Sequence, residues 1–121
     1  MTTGSADRSA TSTSTSTLRI DVDVCGGSAL VRPHGDLDLA SARRLQGVVA
    51  SVLDDERVWC VEIGAVGLDF VDVAGLVSLL DARHACTARG VQCRLTHRSP
   101  SLRRILALTA IGERFADPAL N

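Results

Sequence analysis

The feature that most restricts the fold of this chain is an almost unbroken apolar run at residues 58–63, bounded by polar residues. A strand that is buried on both faces has this composition, because neither face has to meet water. Such strands lie in the middle of sheets that are covered by helices. The run therefore predicts an α/β fold in which this strand is central.

Two shorter strands are predicted before the run. Apolar and polar residues alternate over residues 18–24, which is typical of a strand with one face toward water. Glycines in residues 25–28 predict a turn, and residues 29–33 return as a second strand. Because Pro33 has no backbone N–H, we expect this strand to lie near a sheet edge or to end there. Residues 35–38 are then predicted as a loop.

Three helices are predicted from apolar residues at helical spacing. The first two cover residues 39–53 and 74–88, with a loop at 64–71 before the second. The third helix begins at Ser99-Pro100-Ser101, where either serine can act as N-cap and Pro100 suits the first helical position. A further strand is predicted between the last two helices, at residues 91–95.

The resulting order is β-β-α-β-α-β-α, and the sequence allows a short final strand near Phe115. Alternation of strands and helices favours a parallel core with an antiparallel hairpin at the front. We therefore expect one α/β domain over residues 18–121, with a four- or five-stranded mixed sheet and three or four helices. Residues 1–17 are rich in Ser and Thr without apolar periodicity, which predicts a disordered tail.

Composition excludes several classes of function. The 121 residues carry a net charge of -1, so bulk charge does not attract the chain to nucleic acid or to an anionic membrane. One Trp, two Phe and no Tyr are too few for a base-stacking platform. No apolar run reaches the roughly 20 residues of a membrane span, and the N-terminus does not resemble a secretory signal. We expect a cytoplasmic protein that needs no cofactor.

The four cysteines show no metal-site spacing. None forms a C-x-x-C pair, and no histidine lies at zinc-site spacing from two of them, so no metal is predicted. In a reducing cytosol they are expected to be small core residues. The alternative is redox control through Cys60, Cys86 and Cys93.

The segment before the second helix carries the residues of greatest interest. Asp72 can accept backbone N–H groups of the first turn and complements the helix dipole, which predicts an N-cap. Gly75 lowers helix propensity by about 1 kcal/mol relative to Ala, which indicates close packing or contact at that position. Asp36 and Asp38 either form Asx-type turns or join Asp72 in an acidic contact patch.

Small apolar residues follow Asp72 and suit the centre of a transient interface. The predicted partner-binding residues are therefore Asp36, Asp38, Asp72, Val73, Ala74, Gly75 and Val77.

Two segments of the chain resemble the STAS family of anti-sigma-factor antagonists. Gly35-Asp36-Leu37-Asp38 is similar to the Gly-Glu-Leu-Asp turn of that family. Leu68 to Leu76, LDFVDVAGL, is similar to its segment Phe-x-Asp-Ser-Ser/Thr/Ala-Gly-Leu. The resemblance extends from Leu18 to about Pro118 and implies a protein that binds an ATP-binding, kinase-like anti-sigma factor and releases a sigma factor.

The chain departs from the family pattern at the phosphorylated serine. In many antagonists of this type, phosphorylation of the serine after the motif aspartate breaks the complex. Here Val73 and Ala74 follow Asp72, and neither has a hydroxyl that could accept phosphate. Ser78 lies about one turn beyond Ala74, and we expect a helix-surface serine there unless it substitutes as the acceptor.

Three alternatives accompany the antagonist hypothesis. The chain could be the STAS subunit of a phospholipid-transport ABC system, or a redox-regulated antagonist that uses its cysteines. An enzyme would need a site such as an acid/base pair of Asp36 and Asp38, but no phosphate loop or nucleophile motif accompanies them. We expect a monomer or a weak dimer.

Overall fold

The computed structural model describes residues 17–109 of the chain. In this part, strands and helices follow in the order β-β-α-β-β-α-β-α. They are β1 (Arg19–Cys25), β2 (Ser28–Leu37), α1 (Ala42–Leu53), β3 (Cys60–Gly64), β4 (Leu68–Val71), α2 (Val73–Ala88), β5 (Gln92–Thr96) and α3 (Pro100–Leu108). The predicted α/β class is confirmed. Nearly all of the predicted tail, and the final strand that the sequence allows near Phe115, lie outside the described residues.

The described strands form one mixed sheet in the order β1-β2-β3-β5, and β4 pairs with the far end of β2. β1 and β2 form the expected antiparallel hairpin, in which Arg19 pairs with His34 and Cys25 with Ser28. β2 runs parallel first to β3 and then to β4, and β5 runs parallel to β3. The strand of the apolar run, β3, is therefore central as predicted.

The prediction for the second strand is wrong at its end. β2 does not end at Pro33 but continues to Leu37, so residues 35–37 are not a loop. It does lie near a sheet edge, since it is next to the edge strand β1. The parallel ladder with β3 ends at Val31, and the ladder with β4 begins at Gly35. Pro33 lies in the interruption between the two ladders, where a residue without a backbone N–H is tolerated.

The predicted loop at residues 64–71 contains β4. This strand has only four residues, and its pairing partner is distant in sequence, so no local pattern reveals it. The first helix also begins later than predicted. Residues 38–41 form a turn, in which the N–H groups of Ser41 and Ala42 donate to the carbonyl of Asp38, and α1 starts only at Ala42.

One hydrophobic core lies between the helices and the sheet. α1 and α2 pack against each other, α1 also contacts β2, and α2 also contacts β5. Along β3, Val61 and Ile63 are buried in this core, whereas Glu62 projects to the opposite side and accepts a hydrogen bond from Thr96 at 2.8 Å. The apolar side of β1 is less covered than its alternation suggests, since Val22 and Val24 are exposed.

Candidate functional site

The carboxyl ends of β2 and β4 lie side by side. Leu37 pairs with Val71, and the N–H of Asp72 donates to the carbonyl of Leu37 at 3.3 Å. This pairing places the residues that follow β2 next to the residues that begin α2. Two motifs that are far apart in the sequence thereby become one continuous part of the surface.

Asp72 begins α2 as its N-cap. Its backbone is extended, and its carboxylate accepts a hydrogen bond from the N–H of Gly75 at 2.8 Å. The sequence predicts this cap, and the structure confirms it. A cap of this kind stabilises a helix by about 1 kcal/mol, and its charge complements the helix dipole.

Gly75 is buried against the end of β2. A Cβ atom at this position would lie 2.1 Å from the carbonyl oxygen of Leu37. Because only glycine permits this approach, α2 can begin directly on the strand. The close contact that the sequence indicates at Gly75 is therefore made within the chain, and Gly75 lies beneath the surface that Asp72 borders.

The turn before α1 is closed by Asp38 and Ser41. The N–H of Asp38 donates to the Ser41 hydroxyl oxygen at 3.0 Å, and the N–H of Ser41 donates to the Asp38 carboxylate at 3.1 Å. The Ser41 hydroxyl also donates to the carbonyl of Asp36 at 2.9 Å. Asp38 therefore closes a local turn with its side chain, but the N–H that it accepts lies three residues on, not two as in an Asx turn.

Ser41 is fully buried and was not singled out from the sequence. Its spacing of three residues from Asp38 is the signal that could have revealed it, because reciprocal caps use that spacing. Asp36 has a different role. Within residues 17–109, no hydrogen bond or ion pair engages its part-exposed carboxylate, so it is available to a partner.

Exposed apolar side chains accompany these acids. Val73 and Val77 are 52% and 38% exposed and lie one helical turn apart on the same face of α2. Leu39, in the neighbouring turn, is 78% exposed, although the sequence placed it inside a helix. The acidic–apolar surface is defined here as Asp36, Asp38, Leu39, Asp72, Val73, Ala74 and Val77.

Ser78 is not on this surface. It is buried, and its hydroxyl donates to the carbonyl of Gly75 at 2.6 Å. The prediction of a helix-surface serine is wrong, because Ser78 lies on the inward stripe of α2 that also includes Ala82 and Cys86. Its hydroxyl is therefore inaccessible to a kinase in this structure.

The cysteines lie away from the acidic–apolar surface. Cys60 and Cys86 are buried and Cys93 is part-buried, whereas Cys25 is exposed. The hydrogen bond between the thiols of Cys86 and Cys93, together with burial, raises the pKa of Cys93, and the same bond lowers the pKa of Cys86. Burial raises the pKa of Cys60. Cys86 lies about 20 Å along α2 from Asp72.

Neither metal ligation nor membrane insertion is indicated by the described residues. Among residues 17–109, no three His, Cys, Asp or Glu side chains lie close enough together to hold a metal ion. No helix in the same part of the chain is long and apolar enough to span a membrane.

Similar folds occur among solved structures. An anti-sigma factor antagonist from Mycobacterium paratuberculosis has a TM-score of 0.66 and 20% identity, over 83% of this chain and 84% of that one. Phosphorylated SpoIIAA, a cell fate determinant of Bacillus, has a TM-score of 0.60 and 18% identity, over 80% and 86%. A sulfate transporter family protein from Wolinella succinogenes has a TM-score of 0.66 and 21% identity, over 80% and 78%.

The fold and the site define a small α/β domain with a mixed sheet, whose exposed acidic–apolar surface is built from the starts of two helices. The family model of the STAS domain matches residues 19–119. The chain therefore belongs to the STAS-domain family. No curated protein sequence matches the chain at a significant level.

Proposed function

We propose that this protein is an anti-sigma-factor antagonist, a regulatory binding protein without catalysis of its own. In this role it binds an ATP-binding, kinase-like anti-sigma factor in the cytoplasm and frees a sigma factor, which is partner switching in the control of transcription. The observation that carries the proposal is the junction of both motif segments at one exposed acidic–apolar surface. Two anti-sigma factor antagonists among the similar folds, the mycobacterial protein and SpoIIAA, support it.

The acidic–apolar surface suits a protein partner. Leu39, Val73 and Val77 offer exposed apolar area at its centre, and Asp36 adds a carboxylate that no other residue of 17–109 engages. Transient interfaces combine such an apolar centre with a polar rim. Charged groups at the rim select the partner and orient it, so a cationic partner surface is expected opposite Asp36.

The first experiment is affinity capture from the source organism with the full chain as bait, followed by identification and purification of the bound protein. The proposal expects a small ATP-binding anti-sigma factor. Val73→Asp should weaken binding of this purified protein about ten-fold or more, because a charge would be buried in the interface. Val66→Asp, at a 68%-exposed valine outside the surface, is the matched control and should leave affinity within about two-fold.

Phosphorylation is not expected to switch this complex. Val73 and Ala74 have no hydroxyl, and the hydroxyl of Ser78 is buried. After incubation with the purified partner and ATP, mass spectrometry should find no phosphate on the wild-type chain. The Val73→Ser variant, which supplies a hydroxyl directly after Asp72, should gain one phosphate and lose affinity. Phosphate on Ser78 of the wild-type chain, with loss of binding, would contradict this prediction.

The second candidate function is docking on a transporter. It is favoured by the sulfate transporter family protein, whose TM-score equals that of the mycobacterial antagonist. A phospholipid-transport ABC system is the form of this role that the sequence suggests. Capture of a transporter ATPase with its permease, in place of an anti-sigma factor, would replace the antagonist proposal by this one.

A further inference from the structure

A groove lies between β4 and α3, next to the acidic–apolar surface. Its volume is about 290 Å³, it is open to solvent, and its walls are mostly apolar. Phe70 and Leu108 border it with exposures of 49% and 77%, and Arg104 adds a guanidinium. The lining residues are Phe70, Val71, Pro100, Ser101, Arg104, Ile105 and Leu108.

The walls of the groove are held in place by the fold. The Ser101 hydroxyl donates to the carbonyl of Asp69, which ties the first turn of α3 to β4. Ser99 caps α3 by accepting the N–H of Leu102 at 3.1 Å, with Pro100 at the first helical position as predicted. A groove that is formed before binding loses little conformational entropy when it is filled.

The groove and the acidic–apolar surface are close together along the chain. Phe70 and Val73 are three residues apart, so their Cα atoms lie within about 11 Å of each other. A stable interface takes about 20–30 residues from each side, which is far more than the acidic–apolar surface supplies. The binding area has to extend further, and the groove provides exposed apolar side chains directly beside it.

The charges of the two regions differ. The acidic–apolar surface presents the carboxylate of Asp36, which forms no hydrogen bond or ion pair within the described part of the chain. Arg104 in the groove is exposed. Within residues 17–109 it forms neither a hydrogen bond nor an ion pair. Arginine favours planar carboxylates, which it can hold by two parallel hydrogen bonds. A partner complementary to both regions therefore carries a cation opposite Asp36 and a carboxylate opposite Arg104.

We propose that the groove between β4 and α3 is the second half of the partner-binding surface, and that it receives a partner segment in which a large apolar side chain lies next to a carboxylate. This inference rests on the proposed function, since it takes the anti-sigma factor as the partner. It goes beyond that function by naming the side chains of the partner segment, an apolar one and a carboxylate, by which the partner is selected.

The test is calorimetric titration of the full chain with the purified anti-sigma factor obtained by capture. Arg104→Glu should weaken binding about ten-fold or more, because it sets two carboxylates against each other. Arg103→Glu makes the same charge change on the same helix outside the groove and should stay within about two-fold. Phe70→Ala and Leu108→Ala should each weaken binding about ten-fold, with Val66→Ala as the apolar control.

The outcomes separate this proposal from the proposed function. If Val73→Asp abolishes binding while the groove variants match their controls, the groove proposal is overturned and the antagonist proposal stands. If the groove variants weaken binding and Val73→Asp does not, the groove is supported and the acidic–apolar surface is wrong. If no variant matters, both fail.

Two other occupants of the groove are distinguished by further measurements, one by melting temperatures and the other by sedimentation. Residues 110–121 of the chain itself would be indicated if Phe70→Ala lowered the melting temperature and left affinity unchanged. A second copy would be indicated if sedimentation showed a dimer that Arg104→Glu dissolves without any change in partner affinity. Either result overturns the proposal.

Discussion

The starts of α1 and α2 lie side by side and use the same device in different ways. In each, an aspartate accepts the N–H of the residue three positions later, at 3.1 Å for Asp38 and Ser41 and at 2.8 Å for Asp72 and Gly75. The residue three positions after the aspartate differs between the two turns. Ser41 folds its hydroxyl back into the turn, whereas Gly75 lets its helix press directly against Leu37.

This difference decides what each turn contributes to the surface. At α1, the polar bonds of Ser41 close the turn and bury the serine. At α2, the missing side chain of Gly75 brings the helix onto β2, and Val73 is left facing solvent. Asp72 is itself the N-cap of α2, whereas Asp38 closes the turn that precedes α1, and in both places the residue three positions later determines how the turn packs.

The largest expected effect comes from Gly75→Ala. The added Cβ would clash with the carbonyl of Leu37, and backbone at that contact cannot move cheaply, so we expect a loss of about 3 kcal/mol in the free energy of unfolding. Gly47→Ala is the matched control, because a Cβ there meets nothing within 4 Å and should stabilise the helix by about 0.5–1 kcal/mol. Urea unfolding measures the free energy of unfolding of both variants. If the two substitutions changed it equally, close packing of Gly75 on Leu37 would not be what distinguishes the start of α2 from that of α1.

Ser41→Ala should have the next largest effect. It leaves the part-buried carbonyl of Asp36 and the N–H of Asp38 without the Ser41 hydroxyl, which we expect to destabilise the fold by about 2 kcal/mol. Ser51→Ala, at an exposed serine of the same helix, should change stability by less than about 0.5 kcal/mol. A neutral Ser41→Ala would show that the α1 turn does not depend on its hydroxyl.

Asp72→Ala should cost about 1 kcal/mol of stability through the lost cap. Asp72→Asn keeps a capping oxygen and removes the charge, so it should leave stability nearly unchanged. Titration with the partner then separates the cap from the contact: weaker binding by Asp72→Asn assigns the charge to the interface. If Asp72→Ala weakened binding and left the melting temperature unchanged, the prediction that Asp72 stabilises the fold as an N-cap would be wrong.

The smallest effect is expected from chemistry at the cysteines, which lie away from the acidic–apolar surface. Cys25 is exposed and should react rapidly with a thiol reagent, whereas burial protects Cys60 and Cys86. The raised pKa values of Cys60 and Cys93 reduce their thiolate fraction at neutral pH, so these thiols should react slowly. Cys25→Ser should remove the fast phase and leave partner affinity unchanged. A fast reaction of Cys86 or Cys93 that altered affinity would support the redox alternative.

Much of the fold could be predicted from local patterns. The central strand followed from its continuous apolar run, the front hairpin from alternation and a glycine turn, and the helix cap at Asp72 from residue type and position. For α3 the sequence predicted a serine cap but left Ser99 and Ser101 open, and the structure shows Ser99. Two of the wrong predictions share one cause. The path of β2 through Pro33 and the existence of β4 both depend on strands that pair across a long sequence separation.

The site was predicted in part for the same reason. The motif residues around Asp36 and Asp72 were identified from sequence, but their contact follows from the pairing of Leu37 with Val71. Leu39 was missed because the first helix begins three residues later than its apolar pattern suggests. The groove at Phe70 was missed because its two walls belong to β4 and α3, which are separate in sequence.

The sequence by itself determined the features that depend on neighbouring atoms along the chain. Asp72 caps α2 because the N–H that it accepts belongs to Gly75, three residues away, and positions 73 and 74 lack a hydroxyl by covalent structure alone. Only the tertiary structure decided which way side chains face. Ser78 is buried because α2 packs on the sheet with that side inward, and packing of this kind depends on parallel strands brought together from distant parts of the chain.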